Sequence, residues 1–268
     1  MLYKYNTMSM MHNKIELPLD ICNMIADYLP KYVLHDWIDI TKLNWSWLSC
    51  NTNAIQLLKE NPDKIDWSFL SRNPNAMDLL KENLHQIDWY MLSNNSNAMD
   101  LLKENLHQID WYMLSGNTLA MELLQSNIDK INWFYLSINT NAIELLKSNP
   151  DKIDWRSLSC NCNAINILKE NPDKIDWSYL SINVNAIDLL LANRDKIHWE
   201  WLSMNPSAMD LLLCNTDKID WNYLSRNTNA MELLRNNRDK INWDWLSKNP
   251  SIFKPIRDQD IVDVLYEL

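Results

Sequence analysis

Glycine is almost absent from this chain: Gly116 is the only one in 268 residues. Positions where the backbone must turn through a left-handed conformation therefore fall to Asn, the next residue tolerated there. Asn, Ile and Lys are abundant, the texture of an AT-rich coding sequence. Cysteine is scarce and odd in number (Cys22, Cys50, Cys160, Cys162, Cys214), which is no disulfide framework. Cys160 and Cys162 form a lone Cys-x-Cys with no second pair, so no zinc site is expected. Basic charge is in deficit, with 25 Lys and Arg against 35 Asp and Glu and a net charge of −10. A nucleic-acid partner, bound chiefly through Lys and Arg on phosphates, is disfavoured. No uncharged stretch approaches the ~18–20 residues of a membrane span, and the Met-rich start lacks the apolar core of a signal peptide. These absences point to an intracellular protein in a reducing compartment, with no membrane partner, metal or cofactor.

What is present is a period. A Trp returns every 22 residues from Trp45 and Trp67 through to Trp243, ten copies without insertion or deletion. Three residues on comes a Leu (Leu48, Leu70, to Leu246), then a Ser (Ser49, Ser71, to Ser247), and two further an Asn (Asn51, Asn73, to Asn249). A fixed period of this length marks a solenoid, in which no unit buries its apolar face alone. Residues 75–93 and 97–115 are identical, the trace of a duplication.

The unit reads as helical. Asp66 suits an N-cap, with Trp67 and Leu70 sharing a face at i, i+3. Asn73 is the next N-cap and Pro74 a first helical residue, where its missing N–H has no helical partner. Ala76, Met77, Leu79 and Leu80 give a second helix, and Asn83 stands where a left-handed turn is expected. Twenty-two residues cannot hold two average helices of about 11–12 each, so one must be short and partly 3-10. A leucine-rich-repeat horseshoe can share the period, but the Trp67 to Leu70 spacing is helical. The expectation is an all-α, elongated solenoid of about ten repeats, each a short helix plus a longer one. Its architecture is similar to the leucine-rich variant solenoids.

Residues 1–14 carry no pattern and are expected to fray. The segment 15–42 has Leu17-Pro18, Ile25 and Tyr28-Leu29-Pro30, with Leu34 beyond. It resembles the F-box, whose apolar face docks on the adaptor subunit of a cullin-type ubiquitin ligase while a downstream repeat domain selects the substrate. That resemblance makes Leu17, Pro18, Ile25, Leu29 and Pro30 the adaptor-binding residues. The other reading of the segment is a plain N-terminal cap on the array of 43–254. Residues 255–268 read as a C-terminal capping helix. An F-box-like start followed by perfect Asn-rich repeats resembles repeat proteins of large DNA viruses, which places the protein in a host cytoplasm.

Function is legible only as a class. The Trp ladder reads as core, and the Ser and Asn ladders as caps and turns. Ten equivalent serines without an attendant acid and base make no triad, so no catalytic residue is named. His85 and His107, one position in adjacent repeats, are too few to hold a metal. The Lys ladder from Lys42 to Lys240 mostly follows an Asp, which cancels its field locally. Two residues after each Trp the identity varies and is rich in aromatics, among them Tyr179, Trp201, Tyr223 and Trp245. On a helix this position points away from the Trp. It is either core pressed on the second helix or an exposed stripe, and in the latter case those four are the partner-binding residues. Should they be core, the outer helices around Asp210 and Glu232 are the surface to consider. The expected function is a monomeric, non-enzymatic protein-interaction scaffold, with a structural or self-assembling repeat protein as the alternative.

Overall fold

The computed structural model describes residues 32–256. Residues 34–254 form one compact unit; of the other, residues 1–33 and 255–268, only 32, 33, 255 and 256 are described. Leu17, Pro18, Ile25, Leu29 and Pro30 lie outside the described residues, as does most of the C-terminal segment expected to cap the array. The described residues form an all-α solenoid of 22-residue units: among them are ten helices that open on the repeated Trp and nine second helices. Both kinds are short, four to six residues, so the second is scarcely the longer one. Short 3-10 turns join them, such as Pro62–Lys64 and Pro74–Ala76. The only strands among the described residues are Tyr32–Leu34 and Phe253–Pro255, which pair in one small sheet.

The N-caps are as the sequence implies. Asp66 accepts from the Phe69 N–H at 3.2 Å and Asn73 from the Asn75 N–H at 3.0 Å. The Asn83 turn is different: its φ is −132°, and no described residue has a positive φ. The chain reverses there through an extended bridge conformation, with the Asn83 side-chain amide donating to the Leu79 carbonyl at 2.9 Å. That bond satisfies a helix-end carbonyl without left-handed backbone. Gly116 is also not a left-handed residue; a Cβ there would sit 2.8 Å from Asn94 Nδ2 of the preceding repeat.

Each Leu three residues after a Trp is fully buried, as are the Ala just before each second helix and a Leu within it, for example Leu70, Ala76 and Leu80. The Trp side chains pack on this core but stay half-buried. Removing each Leu from water is worth about 1.5–3 kcal/mol, so every repeat supplies its own share of one continuous core.

Polar side chains fix repeat to repeat. Asn73 is buried, and its amide donates to the Ser49 and Asn51 carbonyls of the preceding unit at 3.0 and 2.9 Å. Ser49 donates to the Trp45 carbonyl at 2.9 Å and accepts the Asp66 N–H of the following unit at 3.0 Å. These ladders are more than caps: they are the hydrogen-bonded seam between units. Lysine adds a third device. Lys64, Lys130, Lys196, Lys218 and Lys240 each lie 4.4–4.5 Å from the indole of the preceding repeat.

The expected elongated array does not form. The same contacts join the last unit to the first: Asn51 donates to the Ser247 and Asn249 carbonyls at 3.0 and 3.1 Å. The Asn44 N–H donates to Ser247 Oγ at 2.8 Å, and Lys42 lies 5.1 Å from the Trp243 ring. Helix Trp45–Ser49 packs on helix Trp243–Ser247 as it does on Trp67–Ser71. Residues 34–254 therefore close into a ring, with the full turn shared among ten units at about 36° each. The physical reason is a wedge. Successive Trp helices pack closely, whereas successive second helices touch little, so the Trp helices line the inside of the curve.

Candidate functional site

Closure gives the ring an inner wall, and the helical period decides what lines it. On helix Trp67–Ser71 the buried Leu70 and Ser71 share a side with Trp67. Phe69 and Arg72, at about 100° per residue, fall opposite, toward the ring axis. Neighbouring helices pack with axes about 8–10 Å apart. Ten in a circle put those axes roughly 13–16 Å from the centre. Subtracting a helix radius of about 5–6 Å leaves an opening of roughly 7–11 Å radius. Its residues sense one another across repeats: the Arg72 charge acts on Tyr135, three units away.

The expected binding residues Tyr179, Trp201, Tyr223 and Trp245 all stand on this wall, half-buried. They are neither plain core nor an outer stripe. Tyr179 meets Trp201 edge-on with centroids 4.8 Å apart, and Tyr223 meets Trp245 at a tilt with centroids 5.4 Å apart. Across the wall Trp47 and Phe69 pair at 5.0 Å, and Tyr112 and Tyr135 at 4.4 Å. Such edge contacts add about 0.5–1.5 kcal/mol beyond burial and hold each ring in one orientation. Burial lifts the Tyr135 hydroxyl above the usual range, with Tyr112 assisting. The series is aromatic except at Met91, Met113 and Ser157, whose hydroxyl is buried without a partner. The neighbouring Arg156 bridges the break at Ser157, its guanidinium 4.6 Å from the Tyr179 ring centre and 4.0 Å from Asp176.

Five residues after each Trp comes the second inward position, which the sequence reading did not single out. In repeats five to eight it is Ile138, Cys160, Ile182 and Met204. In repeats nine, ten, one and two it is Arg226, Lys248, Cys50 and Arg72, neighbours only because the ring closes. Burial pushes the Cys160 thiol up to about 11 and raises Cys50 too, so neither is a thiolate at neutral pH. Burial pushes Lys248 down to about 8, with Arg226 and Arg72 contributing, and lowers Arg226 as well. The signal was available in the sequence as two Arg and a Lys at one repeat position.

The described residues hold no cluster of three or more His, Cys, Asp or Glu arranged for a metal, and no helix among them is long and apolar enough to cross a membrane. The class defined by fold and wall is an all-α repeat protein closed into a ring. Comparison with known proteins adds no relative: no family model, curated protein or solved structure matches the chain.

Proposed function

We propose that the protein is a non-enzymatic protein-interaction scaffold whose binding surface is the inner wall, anchored by Tyr179, Trp201, Tyr223 and Trp245. The observation that carries this reading is the set of half-buried aromatic rings packed on one another along the opening. Large aromatics held in place by neighbours bind with little loss of side-chain freedom, the property of interface hot spots. In the sharper form of this reading, Leu17, Pro18, Ile25, Leu29 and Pro30 dock a ubiquitin-ligase adaptor and the ring presents the substrate, within a host cytoplasm and in the manner of viral repeat proteins. The F-box-like spacing of those residues supports it.

Replacing Trp201 and Tyr223 together with Ala should weaken the native partner by more than about 2 kcal/mol, with the helical circular dichroism retained. Unchanged affinity would sink the inner-wall reading and move the surface to the outer helices around Asp210 and Glu232. The adaptor form is tested separately: Leu17→Ala with Pro18→Ala should abolish adaptor co-purification, and recovery of the adaptor with the double variant would overturn it.

A further inference from the structure

We infer that the basic quarter of the inner wall, formed by Arg72, Arg226 and Lys248, is a binding site for a compact, multiply charged anion of the phosphate class. Ring closure assembles it: repeats nine and ten meet repeats one and two, so residues remote in sequence share one level of the wall. None of the three has an ion-pair partner among the described residues, where every ion pair engages other side chains. The inward positions here are Trp47, Phe69, Tyr223 and Trp245 with Cys50, and none is acidic. Asp244 lies one turn before Lys248 but accepts instead from Asn44 at 2.9 Å across the ring seam.

Two of the cations are held in place. Lys248 Nζ sits 4.5 Å from the Trp47 ring centre, and the Arg226 guanidinium 5.7 Å from that of Trp245. A cation on an indole keeps its other side available for an anion. The charges also repel: Arg226 and Arg72 both lower the pKa of Lys248, and burial lowers it more. Like charges gathered in a partly desolvated place without a counter-charge cost stability. In the free ring that cost is present at neutral pH. It lifts as pH rises through about 8 toward the ordinary lysine value of 10.5, because the unfolded chain holds the extra proton in that window. A bound anion reverses the balance and restores the charged form.

The cations act on one another, Arg72 on both Arg226 and Lys248, and this selects the ligand. One group with several negative charges can face all three cations at once. Peptide carboxylates carry one charge each and are spread along a strand at about 3.3 Å per residue. An overall charge of −10 disfavours long polyanions such as nucleic acid. The aromatic rings around the cluster suit a ligand whose phosphates are attached to a flat or apolar body.

Titration calorimetry of the full chain with inorganic tripolyphosphate, at low salt and pH 7, tests this. One-to-one binding is expected. Lys248→Gln, Arg226→Gln and Arg72→Gln should each weaken it at least about tenfold, a loss of about 1.4 kcal/mol. Lys169→Gln, on an exposed part of a second helix, should not. At pH 8.5, binding should take up a proton, read from the dependence of the heat on buffer ionisation. Lys248→Arg should keep the affinity and lose the uptake. Circular dichroism separates unfolded variants from folded ones, and the Arg substitution remains decisive if a Gln variant fails to fold. Three outcomes overturn the inference: no binding by the native chain, equal binding by the folded Gln variants, or tighter binding of an oligoglutamate peptide of matched charge.

Discussion

At the scale of the residue, one cap departs from the pattern. Nine repeats place Asp or Asn before the Trp, and in each the side-chain oxygen accepts the N–H three residues on, as Asp176 does from Tyr179 at 3.0 Å. Repeat eight has His198, which makes no such bond and buries an unpartnered Nδ1. His198→Asp should stabilise the protein by about 1 kcal/mol, less whatever its edge contact with Trp201 at 5.7 Å contributes. In a thermal melt that is a rise of about 2–4 °C; a fall would mean that the imidazole is held by its packing. Most caps were legible because Asp, Asn and Pro act on their own neighbours. The second role of Asn73 was not, since its acceptors lie 22 and 24 residues back on the carbonyls of another unit. The Asn83 turn was misread for a related reason: a side-chain bond to Leu79 replaces the left-handed turn that the residue type alone suggests.

Elements in this ring are too short to stand alone, and the latch between them is partly ionic. Isolated helices below about 12–15 residues are marginal, so four-to-six-residue helices depend on what crosses between repeats. The lysine over the preceding indole, as Lys64 over Trp45, is such a contact, and its neighbouring Asp in the sequence concealed it. Where lysine does pair with that Asp, as Lys152 with Asp151 at 3.9 Å and Lys174 with Asp173 at 3.7 Å, the pair is solvent-exposed and worth little. Repeats three and four carry Gln86 and Gln108 at the lysine position, leaving Trp67 and Trp89 without a cation. Gln86→Lys should add about 0.5–1 kcal/mol in urea denaturation, and the gain should shrink little with salt if the contact is desolvated. No gain would show that the lysine over the indole contributes nothing measurable to stability.

For the whole molecule, the repeat and its helical character were legible, and the closure was not. Periodicity reveals that units stack, but the angle between neighbours is set by small differences in packing between inner and outer helices, summed ten times. That sum decides whether the ends meet, and with it which side chains face one another. Arg72, Arg226 and Lys248 were therefore legible as basic residues at one repeat position, but their meeting on one arc of the wall was not. Closure also fixes the repeat number. Deleting one unit, residues 97–118, would require about 40° per step from the remaining nine. The shortened chain should lose several kcal/mol, because two unit faces lose their seam of Asn and Ser bonds. Light scattering should then report dimers formed by the opened ends; a monomer of undiminished stability would mean that the wedge is adjustable.

The seam between Asn51 and the carbonyls of Ser247 and Asn249 also sets a timetable for synthesis. Asn73, Asn95 and each later Asn find their acceptors on a unit already made, so those repeats can dock as they emerge from the ribosome. Asn51, the first of this ladder, must instead wait for carbonyls 196 and 198 residues downstream. At about 5–20 residues per second that wait is roughly 10–40 s. Through all of it the first unit shows a growing arc an uncovered face that every neighbouring chain on the same message could also fill.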